Sequence, residues 1–179
     1  MSSTNIPNQA IRQGSISHAA DQPADEAEVR KLINARIDAI RARDVNAATA
    51  NVAEDVAVFD VVDAFAQMGL EAMRERAIAW FSSFDDKIGV EVRHLIVSVS
   101  GDTAFAHSLN RYSGKLKNGG DLDMSVRVTL CLKKLNDHWI ITHEHNSVPF
   151  DSKSGMAIIS TGAATATRDS SKTLGPPRV

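Results

Sequence analysis

The first part of the chain shows the hydrophobic spacing of two helices. Apolar residues recur on one helical face at Val29, Leu32, Ile33, Ile37 and Ile40. Asp25 with Glu28 three residues later is an N-cap signature and predicts a helix that begins there. Arg36 lies beside the apolar stripe, which would let it lean into a cavity. Asp44 can cap a second, shorter helix that ends at about Val52.

A short strand and a third helix are predicted next. Residues 56–61, Val-Ala-Val-Phe-Asp-Val, are rich in β-branched side chains and predict a strand that carries Asp60 near its end. From Gly69 to Phe84 the apolar residues return to helical spacing, and Trp80 gives this stripe a large aromatic surface. We expect this helix to pack across a sheet.

Four long strands complete the predicted fold. They span about Val90–Ser100, Thr103–Lys115, Leu122–Leu135 and His138–Val148. Polar turns separate them, which predicts an antiparallel meander. The first of these strands carries apolar residues on both faces, whereas a sheet covered only by its own helices has one polar face. We therefore expect a second copy of the chain to cover the other face, in a homodimer.

The two ends of the chain differ in composition from the part between them. Residues 1–24 mix Ser, Asn, Gln and Pro without an apolar period, which predicts a flexible N-terminal arm. Residues 25–151 form the predicted domain. Residues 152–179 form a C-terminal tail that is expected to be mostly flexible, although its apolar patch Met156–Ile159 could dock on the domain or on a partner.

Composition narrows the classes of partner. The 179 residues carry a formal net charge of -2, so no overall field favours nucleic acid, and no nucleic-acid partner is expected. Cys131 is the one cysteine, which excludes an intramolecular disulfide and fits a reducing compartment. No apolar run is long enough for a membrane helix, so we expect a cytoplasmic protein with no membrane partner. No phosphate loop or metal-finger spacing appears, and no cofactor is expected.

Two stretches carry a family resemblance: VSGDTAFAHSLNRYSG at residues 99–114 and HWIITHEHNSVPFD at residues 138–151. They resemble the SnoaL-like, ketosteroid-isomerase-homologue branch of the nuclear transport factor 2-like superfamily. The likeness covers residues 25–151. It implies an α+β fold, the nuclear transport factor 2-like (cystatin-like) cone. In that cone, three helices from the N-terminal half pack on a curved, mostly antiparallel sheet and enclose a pocket.

The stretch from Arg43 to Asp60 is also similar to the second helix and first strand of ketosteroid isomerases. That similarity implies that Asp60 lies where those enzymes keep their general base. The two oxyanion donors of those enzymes, a tyrosine and a protonated aspartate, are not retained, because their positions fall near Arg36 and at residues 127–129. A guanidinium in the cavity would favour an anionic ligand over a neutral steroid ketone.

Seven residues are the candidate site residues. Asp60 and His107 are the catalytic candidates, and the substrate-binding candidates are Arg127, Thr129, His143, His145 and Trp80. Asp60 has a second interpretation as a turn residue, and His107 as a core residue. Arg127 and Thr129 face either the cavity or a dimer partner. His143 and His145 project to the same strand face, but two histidines without a confirmed third ligand do not predict a metal site.

Two functions from different classes fit this sequence. The first is a small-molecule pocket protein that acts as a cofactor-independent isomerase, cyclase, dehydratase or hydrolase by proton transfer, with Asp60 as the base. Such an enzyme would be ketosteroid-isomerase-like or polyketide-cyclase-like. The alternative is a non-catalytic ligand-binding or assembly domain of the same fold, in which these polar groups are structural.

Overall fold

The computed structural model describes residues 18–62 and 65–159. Three helices pack on one face of a six-stranded sheet, which confirms the predicted α+β architecture. The elements in chain order are α1 (His18–Ala42), α2 (Val45–Ala48), β1 (Val52–Phe59), β2 (Gln67–Met68), α3 (Leu70–Ser82), β3 (Gly89–Ser100), β4 (Thr103–Lys115), β5 (Asp121–Leu135) and β6 (His138–Ser147).

Helix α1 buries the predicted apolar stripe but begins earlier than expected. Val29, Ile33 and Ile37 are buried in the core. The helix begins at His18, so Asp25 is not its N-cap and the predicted flexible arm overlaps it. Tertiary contact explains the difference, because Gln22 Nε2 donates to the carbonyl of Val99 at the end of β3. Residues 1–17 of the predicted arm lie outside the described residues.

Helix α2 is a single turn. Asp44 is its N-cap, as predicted, and accepts a hydrogen bond from the backbone N–H of Ala47 at 2.9 Å. The helix ends at Ala48 rather than near Val52, since Thr49 turns its hydroxyl back onto the carbonyl of Val45 at 2.8 Å. The chain can therefore enter β1 directly at Val52.

The sheet has the strand order β2-β1-β6-β5-β4-β3. Strands β3 to β6 form the predicted antiparallel meander, and β1 pairs with β6 in parallel. Asn136 and Asp137, between β5 and β6, both have positive φ, 50° and 62°, as a tight hairpin turn requires. The two-residue strand β2 was not predicted, because it is too short to show a period of two.

The two faces of the sheet differ in the size of their side chains. On β4, Ala104 and Ala106 are buried against the helices, whereas Phe105 and His107 on the opposite face are exposed. The small side chains of β4 therefore lie inside, where packing density is high, and the bulky ones lie outside. We call the helix-covered side the inner face and the other side the outer face.

A β-bulge in β6 decides which of its residues point inward. Leu132 of β5 pairs with Ile141, and the residue before it in β5, Cys131, pairs with His143. Thr142 lies between these two pairs without a partner of its own, so it is the extra residue of the bulge. Trp139 and Ile141 are buried. Without the bulge, alternation would also send His143 inward. With it, Glu144 takes the inner position and is 8% exposed.

The segment after β6 turns back towards the sheet. The backbone N–H of Ile158 donates to the carbonyl of Pro149, and that of Ser125 on β5 donates to the carbonyl of Ile159. The apolar patch Met156–Ile159 therefore contacts the domain through its backbone, while the side chain of Met156 stays exposed. The rest of the predicted tail, residues 160–179, lies outside the described residues.

Candidate functional site

A cavity of about 150 Å³, partly open to solvent, lies between the helices and the inner face of the sheet. Its walls are mainly apolar and include Val58, Met73, Trp80, Phe81, Met124 and Val126. Two arginines, two carboxylates, two amides and a tyrosine also line it: Arg36, Arg76, Asp60, Glu144, Gln67, Asn146 and Tyr112. An apolar cavity with a few convergent polar groups is the usual form of a small-molecule site.

The deepest polar group is the ion pair between Arg36 of α1 and Glu144 of β6. Arg36 Nη2 donates to Glu144 Oε2 at 2.6 Å, and its Nε donates to the carbonyl of Ala48 at 3.1 Å. Asn146 Nδ2 donates to the other oxygen, Glu144 Oε1, at 3.0 Å. The side chains of Arg36 and Glu144 are only 15% and 10% exposed. Arg36 therefore leans into the cavity, and its charge is already matched there.

Electrostatics keep Glu144 ionised despite its burial. Desolvation is the largest single influence and acts to raise the pKa of Glu144. The charge of Arg36 and the hydrogen bonds from Asn146 and Arg36 together outweigh it, so the pKa of Glu144 lies below its ordinary value. For Arg36, desolvation acts to lower the pKa, but the charge and hydrogen bond of Glu144 raise it above the ordinary value.

Asp60 lies on the cavity wall just after the last residue of β1, Phe59. Its Oδ2 lies 2.9 Å from Arg76 Nη2 of α3 in an ion pair, and its Oδ1 accepts a hydrogen bond from the backbone N–H of Val61 at 2.6 Å. Arg76 Nη1 also donates to the carbonyl of Val62 at 3.3 Å. Helix α3 thus fixes the orientation of the Asp60 carboxylate.

A chain of polar side chains on β4 ends at Tyr112. The Ser108 hydroxyl donates to Asn110 Oδ1 at 2.9 Å, and Asn110 Nδ2 donates to Tyr112 Oη at 3.3 Å. The Tyr112 ring packs edge-on against Trp80, with 5.4 Å between ring centroids. Burial is the main reason that the pKa of Tyr112 is raised, so its hydroxyl keeps its proton at neutral pH.

Two buried amide oxygens of the cavity lining lack a partner. Among the described residues, no donor reaches Gln67 Oε1 or Asn146 Oδ1. The orientation of the Asn146 amide is fixed, because its nitrogen is the atom that donates to Glu144. Its oxygen is therefore a true acceptor and needs a donor.

The seven sequence-predicted site residues divide between the two faces of the sheet. Asp60 and Trp80 line the cavity. The other five, namely His107, Arg127, Thr129, His143 and His145, are absent from its lining and belong to the outer face. Their assignment to the pocket is therefore corrected. For the two histidines the cause is the Thr142 bulge, and for His107 it is the inward packing of the small residues of β4.

The outer face nevertheless brings these five residues together. His107 pairs with Thr129, which pairs with His145, so the three form one row across β4, β5 and β6. His143 Nδ1 donates to the carbonyl of Ala57 at 2.8 Å, which ties β6 to β1 at this point. Within residues 18–62 and 65–159, no cluster of three or more His, Cys, Asp or Glu side chains could hold a metal ion.

Five polar or charged residues of the cavity were missed by sequence reasoning, namely Gln67, Arg76, Tyr112, Glu144 and Asn146. Arg76 lies four residues before Trp80 on α3, so the helical period could have identified it as a neighbour on the same face. Tyr112 has the parity of the buried Asn110 on β4, but the bulkier residues of that strand suggested the opposite face. Glu144 gave no usable signal, because the bulge that turns it inward cannot be read from the sequence.

Comparisons with known proteins agree on the family and the fold. The model of a family described as a SnoaL-like domain matches residues 29–151. No curated protein matches the chain significantly. Within the described part of the chain, no helix is long and apolar enough to span a membrane.

Three solved structures show the likeness. An NTF2-like protein of unknown function from Pseudomonas putida KT2440 is 29% identical, with a TM-score of 0.70 over 76% of this chain and 95% of its own. A ketosteroid isomerase-like protein from Erwinia carotovora atroseptica is 18% identical, with a TM-score of 0.60 over 69% and 95%. A proposed dehydratase of the NTF2-like family from Streptomyces avermitilis is 16% identical, with a TM-score of 0.61 over 70% and 97%.

Proposed function

Since this chain belongs to the SnoaL-like domain family, we propose that it is a small-molecule enzyme that moves a proton within a substrate held in the cavity. Asp60 is the general base. The reaction class is removal of a proton from a carbon next to a carbonyl group, followed by its return at another position or by loss of a leaving group. Isomerisation and dehydration both follow this course, and neither needs an organic cofactor.

The position of Asp60 is the observation that carries this proposal. Its carboxylate lies on the wall of an otherwise mostly apolar cavity, with its two oxygens held by Arg76 and by the backbone of Val61. A carboxylate has about four lone-pair sites, so these two contacts leave it able to accept a proton from a substrate. The bond to Arg76 also fixes the carboxylate in one orientation, which reduces the entropy lost when a substrate reacts.

Hydrogen exchange tests the proposal without knowledge of the natural substrate. Methyl ketones in D₂O would be followed by NMR for deuterium incorporation beside the carbonyl group. The wild-type chain should accelerate exchange for at least one ketone. Asp60→Asn should lose at least about 100-fold of that rate, the lower limit of a general-base contribution.

Asp123→Asn is the matched control for this experiment. Asp123 is also paired with an arginine, Arg111, at 2.7 Å, but on the exposed surface away from the cavity. Its replacement should leave exchange unchanged. Equal exchange rates for wild type and Asp60→Asn would contradict the catalytic role of Asp60.

A second candidate function is non-catalytic binding of a small molecule. The observation that favours it is the same ion pair, since the Asp60 carboxylate is already engaged by Arg76 as part of the cavity wall. Ligands would then raise the melting temperature of wild type and of Asp60→Asn alike, with no exchange by either protein. The exchange experiment therefore separates the two candidates.

A further inference from the structure

The charged groups of the cavity are already matched to one another. In the described lining there are two arginines and two carboxylates, and they form the pairs Arg36–Glu144 and Arg76–Asp60. A charged ligand would therefore have to break one of these pairs or remain without a counter-charge in a mainly apolar space, and both are costly. The cavity is suited to an uncharged ligand. This reverses the preference for an anion that Arg36 alone would suggest.

The volume of the cavity limits the size of the ligand. A cavity of about 150 Å³ accommodates roughly one aromatic ring. A steroid skeleton, with its four fused rings, is larger than this volume. Trp80 and Phe81 offer aromatic surface to a single ring.

Tyr112 supplies one hydrogen-bond donor for this ligand. The Ser108 hydroxyl fixes the Asn110 amide, so that Asn110 Nδ2 donates to Tyr112 Oη. Having accepted that bond, Tyr112 has its own proton to give. No side chain or carbonyl among the described residues accepts it, and Tyr112 lines the cavity. A carbonyl oxygen of a ligand is the complementary group.

Asn146 supplies an acceptor. Its amide nitrogen is engaged by Glu144, and its buried oxygen has no donor among the described residues. An unmatched buried acceptor costs free energy that a ligand hydroxyl would recover. Gln67 Oε1 is a second unmatched acceptor in the same lining.

From these four observations we infer that the cavity takes an uncharged, single-ring carbonyl compound that also carries a hydroxyl group. Tyr112 donates to the carbonyl oxygen, and the hydroxyl donates to Asn146 or Gln67. This inference rests on the proposed function in placing a carbonyl compound beside Asp60. It is tested by binding alone, so its outcome is independent of whether Asp60 acts as a base.

Isothermal titration calorimetry with three matched probes tests the ligand class. The probes are meta-hydroxyacetophenone, acetophenone without the hydroxyl group, and meta-hydroxybenzoate, which replaces the ketone with a carboxylate. The hydroxy ketone should bind most tightly. Each of the other two should bind at least about fivefold more weakly, the effect of one net hydrogen bond. Equal or tighter binding of the carboxylate, or no binding of the hydroxy ketone, would overturn the inference.

Two variants test the individual contacts. Tyr112→Phe removes the proposed donor and should weaken binding of the hydroxy ketone about fivefold. Ser98→Ala, which removes a hydroxyl from the outer face beside Phe105, should leave binding unchanged. Unchanged affinity in Tyr112→Phe would show that the Tyr112 hydroxyl does not donate to the ligand.

A charge-changing variant tests the neutrality of the cavity. Glu144→Gln leaves the Arg36 charge without its carboxylate. The ratio of the affinity for meta-hydroxybenzoate to the affinity for the hydroxy ketone should therefore be higher than in wild type. An unchanged preference in a folded Glu144→Gln protein would contradict the charge argument. If this variant does not fold, the wild-type comparison of the ketone with the carboxylate decides the same question.

Discussion

Glu144 and Asp60 are carboxylates of one cavity, but their surroundings give them different tasks. Glu144 is 8% exposed and is held by both Arg36 and Asn146, which makes it part of the framework that joins α1 to β6. Asp60 follows the end of β1 and is bound by Arg76 from α3. A buried ion pair gives little net stability over an apolar replacement, but removal of one partner is strongly destabilising.

Replacement of Glu144 should therefore weaken the fold. We expect Glu144→Gln to lower the free energy of unfolding at pH 7 by about 3 kcal/mol, near the lower end of the range for a broken buried pair, because glutamine still accepts a hydrogen bond. Urea unfolding would measure the difference. Glu91→Gln, which alters an exposed pair with Arg93 on the outer face, is the matched control and should change stability much less.

The same variant should reveal the pH dependence of the pair. The pKa of Glu144 lies below its ordinary value in the folded protein. Its stabilising contribution is therefore fully present above the unfolded pKa of about 4.3 and is lost as pH falls through the folded pKa. Wild type and Glu144→Gln should converge in stability over that interval. A constant difference between them down to acidic pH would contradict the assignment of Glu144 as an ionised partner of Arg36.

At the scale of the elements, the Thr142 bulge is the feature on which the site depends. Ahead of it, Trp139 and Ile141 point into the core, and beyond it Glu144 does. The extra residue shifts the alternation of inner and outer side chains by one position in the rest of the strand. Without the bulge, His143 and His145 would lie on the inner face of the last part of β6. With the bulge, Glu144 lies there instead.

Deletion of Thr142 tests this role. In the shorter strand Ile141 is followed directly by His143, so strict alternation keeps His143 on the outer face and Glu144 on the inner face, beside Arg36. We therefore expect the deletion to cost less unfolding free energy than the roughly 3 kcal/mol of a broken buried pair. Thr142→Ala keeps the bulge and removes one hydrogen bond to the carbonyl of Cys131, at a cost of about 1 kcal/mol. A loss of about 3 kcal/mol or more in urea unfolding of the deletion variant would show that the bulge itself is needed to hold Glu144 beside Arg36.

These elements also show what a sequence can and cannot predict. The hairpin strands were predicted closely because they are long and bounded by turn residues, and the Asp44 cap because it acts on its own helix. Which face of β4 lies inside depends on what packs against it. His107 was interpreted as a site or core residue, whereas the residues of β4 that are buried on the inner face include the small Ala104 and Ala106. Tertiary contacts of this kind, like the bulge, have no local signature.

At the scale of the whole molecule, the outer face is the feature that residues 18–62 and 65–159 leave largely uncovered. Phe59, Ile96, Phe105 and Leu109 are each between 42% and 50% exposed there, and we call these four residues the outer apolar patch. The histidine–threonine row of His107, Thr129 and His145 joins Phe59 to Ile96 across the sheet. Exposed apolar surface that extends over several strands marks an interaction site.

We expect the outer apolar patch to be the contact surface of the homodimer that the two-sided apolar strands predict. A stable interface buries roughly 1,200–2,000 Å² in total, and a sheet face of four long strands is large enough for this. A charged residue placed inside such an interface loses its hydration without gaining a partner. Phe105→Asp should therefore give monomers in light scattering at micromolar concentration, while wild type gives dimers.

Ile78→Asp is the matched control, because Ile78 is similarly exposed, at 54%, but lies on α3, on the helix-covered side of the sheet. It should remain a dimer. Since the cavity lies on the inner face and Phe105 is not part of its lining, monomeric Phe105→Asp should still bind meta-hydroxyacetophenone with the wild-type affinity. If wild type is a monomer, the predicted homodimer is wrong. If Phe105→Asp is still a dimer, the interface lies on another surface. Loss of ligand binding on monomer formation would show that the cavity depends on the partner subunit.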